Sequence, residues 1–105
     1  MVSQYKVITL CGSTKFKNEF FKEQKRLTLE GNIVISVGLF GHADEEFGSV
    51  ITDEIKVMLD DMHKRKIDMS EEIFIINKNG YIGSSTKSEI EYAKNKGKTI
   101  KYLEE

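Results

Sequence analysis

What the 105-residue sequence lacks narrows its class before any motif is read. It has a single cysteine, Cys11, which excludes an internal disulfide and a thiolate metal cluster. At the end of an apolar run, that cysteine is expected to be a small buried hydrophobe. No apolar run approaches the ~20 residues that cross a bilayer. The start, MVSQYKVITL, has no basic region, apolar region and cleavage site in order. A cytoplasmic protein without a membrane partner is expected. Net charge is −1, from 16 basic and 17 acidic residues, so no electrostatic footprint for a nucleic acid is present. Proline is absent too, which decides nothing between folds.

What is there is a globular composition, 39% hydrophobic and 31% charged, over a length that suits one domain spanning residues 1–105. Four apolar runs alternate with three helical patterns. Lys6–Cys11 reads as a buried strand, and Thr14–Glu30 as a helix with Phe16, Phe20 and Leu27 on one face and Gly31 at its stop. Ile33–Val37 is a second strand. Ile51, Ile55, Met58, Leu59 and Met62 form a helical stripe running to about Lys66. Glu72–Asn77, Ser85–Asn95 and Thr99–Leu103 supply a third strand, a third helix and a last strand. Near-continuous apolar strands alternating with helices predict an α/β fold, a parallel sheet with helices on its faces. The expected architecture is a small flavodoxin- or Rossmann-like sheet of order 2-1-3-4.

In such sheets ligands collect beyond the carboxyl ends of the strands, where the strand order reverses. Here that point lies between the first and third strands, so three loops matter: Gly12–Thr14, Val37–Val50 and Asn77–Thr86. In the first, Gly12 lets backbone approach a ligand, while Ser13 and Thr14 can cap a helix or bind an anion. Neither a Walker loop nor a GxGxxG fingerprint is present. The third loop, NKNGYIGSST, is more informative. Gly83 followed by Ser84, Ser85 and Thr86 places three hydroxyls at a helix start, where one would suffice as a cap. A phosphate or sugar is the expected occupant. Tyr81 can stack on a base or simply pack.

Glu89 has two readings. Thr86-x-x-Glu89 fits a capping box, with the carboxylate reaching back to the Thr86 N–H. Equally, a carboxylate one turn beyond a phosphate site can address the sugar carbon bearing that phosphate. The spacing leaves both open. The middle loop, VGLFGHADEEFGSV, is longer than the usual ~2–6-residue βα connection and reads as a specificity loop, with His42 a ligand-binding candidate beside Asp44, Glu45 and Glu46. No second histidine stands at ligand spacing, and no metal is expected. His63 continues the apolar series Ile55, Leu59, His63, Ile67 and reads as a packed, hydrogen-bonded residue, with a catalytic role the second reading. Asp68 follows at the turn into the third strand.

With these residues assembled, the chain resembles the nucleoside 2-deoxyribosyltransferase superfamily, including its small deoxyribosyltransferase-like members. The likeness runs nearly end to end, through KVITLCGSTKF, HKRKIDMSEEIFIIN and GYIGSSTKSEIEYAKNKGKTIKYL, the last being the most specific. The resemblance implies that Glu89 is a nucleophile. It would attack the anomeric carbon of a deoxynucleoside, release the base and leave a glycosyl-enzyme ester. Members that hydrolyse deoxynucleoside 5′-monophosphates hold the phosphate at places comparable to Gly12, Ser13, Ser84, Ser85 and Thr86. Transferase members carry an aspartate shortly before the nucleophile to handle the leaving base. Here that stretch is GYIGSST, without an acid, and Asp68 is the catalytic candidate in its place, with Asp44, His63 and Tyr81 behind it. The resemblance further implies a nucleoside or nucleotide as partner, no cofactor and a homo-oligomer. A related branch of the fold contains nucleotide sensors without glycosyl chemistry, so a non-catalytic binding module is the alternative.

Overall fold

The structure, a computed structural model, describes residues 4–38, 40 and 52–104. The chain enters at β1 (Val7–Gly12), passes a short 3-10 turn (Thr14–Phe16) and continues into α1 (Lys17–Leu29). Then come β2 (Ile33–Ile35), α2 (Asp53–Asp68), β3 (Glu72–Ile76), α3 (Ser84–Asn95) and β4 (Thr99–Tyr102). All four strands are parallel in the order β2-β1-β3-β4, as the alternation predicts. β2 is shorter than its apolar run and lies at the sheet edge, where Ile33 is half exposed. The central strand β3 is buried along its whole length, which explains its continuous run of large apolar residues.

Right-handed crossovers reverse the winding after β2, so the helices fall on opposite faces of the sheet. Side-chain alternation along the strands feeds each face. Ile8, Leu10, Phe74 and Ile76 pack with Phe20 and Leu27 of α1, and Phe40 closes that cluster against Phe20. Cys11, Ile73 and Ile75 pack on the other face with Ile67 of α2 and with Ile90 and Ala93 of α3. Full burial of a side chain the size of these isoleucines stabilises by roughly 1.5–3 kcal/mol each, so the two clusters fix the sheet between its helices.

Helix ends follow local chemistry. Thr52 caps α2, its hydroxyl accepting from the Ile55 N–H at 3.2 Å, with Asp53 and Glu54 in the first turn and Arg65 and Lys66 in the last, as the helix dipole favours. Asn77, just past β3, is tied to the segment after β4. Its amide donates to the Glu104 carbonyl at 2.8 Å, and its oxygen accepts from the Glu104 N–H at 2.9 Å. The Glu104 carboxylate in turn accepts from the Asn79 N–H at 2.8 Å, and Asn79 holds a positive φ of 57°. No described helix is long and apolar enough to cross a membrane.

Candidate functional site

The two central strands converge at their carboxyl ends, and Gly12 is what lets them. Its φ is +153°, and a Cβ there would stand 2.7 Å from the Ile76 carbonyl oxygen. A side chain would push β1 and β3 apart just where both loops leave the sheet. Ser13 then caps the 3-10 turn, its hydroxyl accepting weakly from the Lys15 N–H at 3.4 Å.

Across from this turn, α3 begins at Ser84 with Gly83 as its N-cap, and no side chain caps it. Thr86 is therefore the third helical residue and Glu89 the sixth, three positions too deep for a capping box. That reading of Glu89 is overturned by where the helix starts. Gly83 in extended backbone draws Ser84 and Ser85 into the first turn, and the N–H groups of that turn are left facing outward. A cavity of about 590 Å³ lies before them. Gly12, Ser13 and Thr14 line it from the end of β1, Tyr81 and Gly83 from the glycine loop, and Ser84, Ser85, Thr86 and Glu89 from α3.

The remaining wall is α2, from which Lys56, Asp60, His63 and Lys66 face inward. Lys56 Nζ donates to Ser85 Oγ at 3.1 Å and pairs with Asp60 at 3.3 Å, which sets an ammonium group at the start of α3. Lys66 donates to the Ser36 carbonyl at 2.9 Å, and burial pulls its amine down from the usual lysine range. The Lys56 ammonium, open N–H groups and hydroxyls thus meet at the start of α3, the arrangement an anion needs.

The other end is drier and holds Glu89. Glu89 is 8% exposed, and its Oε1 lies 3.9 Å from His63 Nε2, which in turn lies 3.3 Å from Cys11 Sγ. Burial raises the Glu89 pKa from 4.5 to about 7, with the nearby Asp60 charge adding to the rise. Burial lowers that of His63 to about 4, helped by Lys66. The Cys11 thiol is held well above its ordinary value, first by burial and then by Glu89 beside it. In each case desolvation disfavours the charged form, so near neutral pH the trio carries at most a fraction of one negative charge.

Tyr81 reaches the cavity, but Lys15 Nζ sits 3.6 Å from its ring centroid and Phe16 meets it edge-on at 6.0 Å. The face that Lys15 covers is not open to a base. Asp68 is not brought to the site. It ends α2, which runs back towards the amino edge of the sheet before β3 begins, and there it accepts from Tyr92 Oη at 2.6 Å and pairs with Arg65 at 2.9 Å. The Tyr92 hydrogen bond, and after it Arg65, hold its carboxyl below the usual range. As a partner for Glu89 this aspartate is in the wrong place. His42 and Asp44 lie outside the described residues.

Sequence reasoning missed Lys56 and Asp60. Their signal was the i, i+4 spacing on the face of α2 that continues to His63. Compared with known proteins, the chain matches no family model and none of the curated proteins.

Proposed function

We propose that this protein binds a deoxynucleoside 5′-monophosphate or a similar phosphorylated nucleoside and cleaves its N-glycosidic bond through Glu89, as a small relative of the nucleoside 2-deoxyribosyltransferases. One observation carries the reading. A buried carboxyl group lines the same cavity as an uncapped helix start furnished with three hydroxyls and an ammonium group. The phosphate would rest on the first turn of α3, between Ser13 and Lys56, and the sugar would extend towards Glu89.

The chemistry follows from that placement. An ionised Glu89 oxygen attacks the anomeric carbon, and the electron pair of the C–N bond leaves with the base, which takes up a proton. That proton comes from solvent water, and Asp60, a carboxylate lining the same cavity among the described residues, is placed to relay it. Water then attacks the anomeric carbon of the ester, releasing the sugar phosphate, a proton and free carboxylate. Attack requires the ionised form. With a pKa of about 7, Glu89 is half neutral at that pH, so base release should rise about tenfold per pH unit below 7 and level off above it.

The test is chromatographic detection of free base from deoxynucleosides and their 5′-monophosphates, with Glu89→Gln alongside. Release that disappears in the variant supports the proposal. Nucleotide binding with no release from any of the four common bases rejects the enzymatic part. A second reading, a nucleotide sensor without chemistry, is favoured by one observation: Asp68, the expected acid partner, stands at the opposite edge of the sheet.

A further inference from the structure

Cys11, His63 and Glu89 come from β1, α2 and α3, at sequence separations that give no metal signal. Their Sγ, Nε2 and carboxylate oxygen all lie within 4.8 Å of one another, the trio among the described residues that does so. Ligand atoms around one tetrahedral zinc stand roughly 3.3–3.6 Å apart, given bond lengths of about 2.0–2.3 Å. The Sγ–Nε2 distance of 3.3 Å already meets that, and the Nε2–Oε1 distance of 3.9 Å needs to close by only a fraction of an ångström.

The geometry points to a transition-metal site: Cys11 Sγ, His63 Nε2 and Glu89 Oε1 bind one Zn²⁺ or a close analogue such as Co²⁺, with a water as fourth ligand on the cavity side. Three further features fit. First, one atom of the His63 ring, Nε2, already faces both Cys11 Sγ and Glu89 Oε1, so the imidazole needs no reorientation to act as a ligand. Second, charge balances. The ion displaces one proton from the thiol and one from the carboxyl, so Zn²⁺ with thiolate, neutral imidazole and carboxylate makes a site of zero net charge. A buried pocket tolerates that where it would reject a bare cation. Third, His63 and Glu89 line the cavity, which gives the ion a route in and room for its water.

The donor set selects the ion. One thiolate and one imidazole favour Zn²⁺ or Co²⁺ over Mg²⁺ and Ca²⁺, which prefer all-oxygen shells. This inference does not rest on the glycosidic reading. A metal on Glu89 and an attack by Glu89 in fact exclude one another at any given moment.

The experiment is a Co²⁺ titration of the intact protein followed by absorption, then competition with Zn²⁺. A 1:1 complex with an intense sulfur-to-cobalt charge-transfer band and tetrahedral visible bands is expected. Cys11→Ser should remove the charge-transfer band, and His63→Asn should weaken Zn²⁺ binding by about tenfold or more, with circular dichroism checking that each variant folds. If either variant does not fold, Glu89→Gln takes its place, with the same weakening expected. Absence of stoichiometric binding by the wild-type protein overturns the proposal. So does binding without a charge-transfer band, or binding that persists unchanged in the variants, since a surface site would then hold the ion.

Discussion

Two carboxyl groups at opposite edges of one sheet show how place overrides residue type. Asp68, at the amino edge, is exposed, accepts from a tyrosine and faces an arginine, and its proton affinity drops. Glu89, at the carboxyl edge, is shut between α2 and α3 with a neutral imidazole and a thiol, and its proton affinity climbs to about 7. Asp68 is spent on holding two helices together. Glu89 is kept at a cost, next to open space. A carboxyl group held against its solvation preference in a cleft is the kind of group that clusters at functional sites, which makes Glu89 the candidate and Asp68 not.

Substitution should separate the pair most sharply in activity. Glu89→Gln should reduce base release by about 10³-fold or more, since a neutral amide cannot form the ester, while Asp68→Asn should leave it within about twofold. Chromatography of both variants against the wild type checks this. Equal losses in the two would erase the distinction drawn here.

Stability against pH comes next in size. The raised pKa of Glu89 means that the folded protein holds a proton the unfolded chain releases at 4.5, so this group destabilises the fold as pH rises from 4.5 to 7. His63 acts in the opposite sense. Its lowered pKa means that the unfolded chain takes up a proton at 6.5 that the folded one refuses until about 4, so stability falls as pH drops through that range. Each effect is on the order of 3 kcal/mol, and the two windows nearly coincide. The wild type should therefore show a flat profile from pH 4.5 to 7. Glu89→Gln should lose stability towards acid and exceed the wild type above pH 7, and His63→Asn should lose stability towards neutral pH. Urea unfolding at pH 4.5, 5.5 and 8 reads all three curves, and parallel curves would contradict the assigned shifts.

Lys56 offers the smallest effect. Lys56→Ala should weaken binding of a nucleoside 5′-monophosphate by about 5–20-fold, as one charge-assisted contact is worth, and leave binding of the unphosphorylated nucleoside unchanged. Calorimetry with the two ligands makes the comparison, and equal weakening of both would move the phosphate away from the start of α3.

The sheet was legible because its cause is local. Apolar runs of strand length between helical stripes permit little but a parallel sheet, and the switch-point rule then picked out the loops that line the cavity. The start of α3 was legible to within one residue, Ser85 against Ser84, but the capping-box reading set its N-cap three residues late, at Thr86 instead of Gly83. Thr86 and Glu89 imitate a capping box, whereas Gly83 supplies the extended backbone that starts the helix earlier. Asp68 was misplaced although the order of elements contained the answer, since a residue that ends a helix just before a strand lies at that strand's amino edge. The contact of Cys11 with His63 was not legible at all. It depends on how far α2 descends across the sheet, a matter of packing at Ile67 and Ile90 that no spacing encodes.

The double hydrogen bond between Asn77 and Glu104 has a consequence for the energetics of recognition. It fastens the turn that leads to Tyr81 and Gly83 from outside the cavity, through the segment after β4, so no ligand is needed to wind it. The conformational entropy of that turn is surrendered when the chain folds, not when a ligand arrives. Amide hydrogens at Asn79 and Tyr81 should accordingly exchange slowly in the free protein and change little on saturation. In Asn77→Ala, the same ordering would be charged to binding, and affinity would fall at a site the substituted side chain never touches.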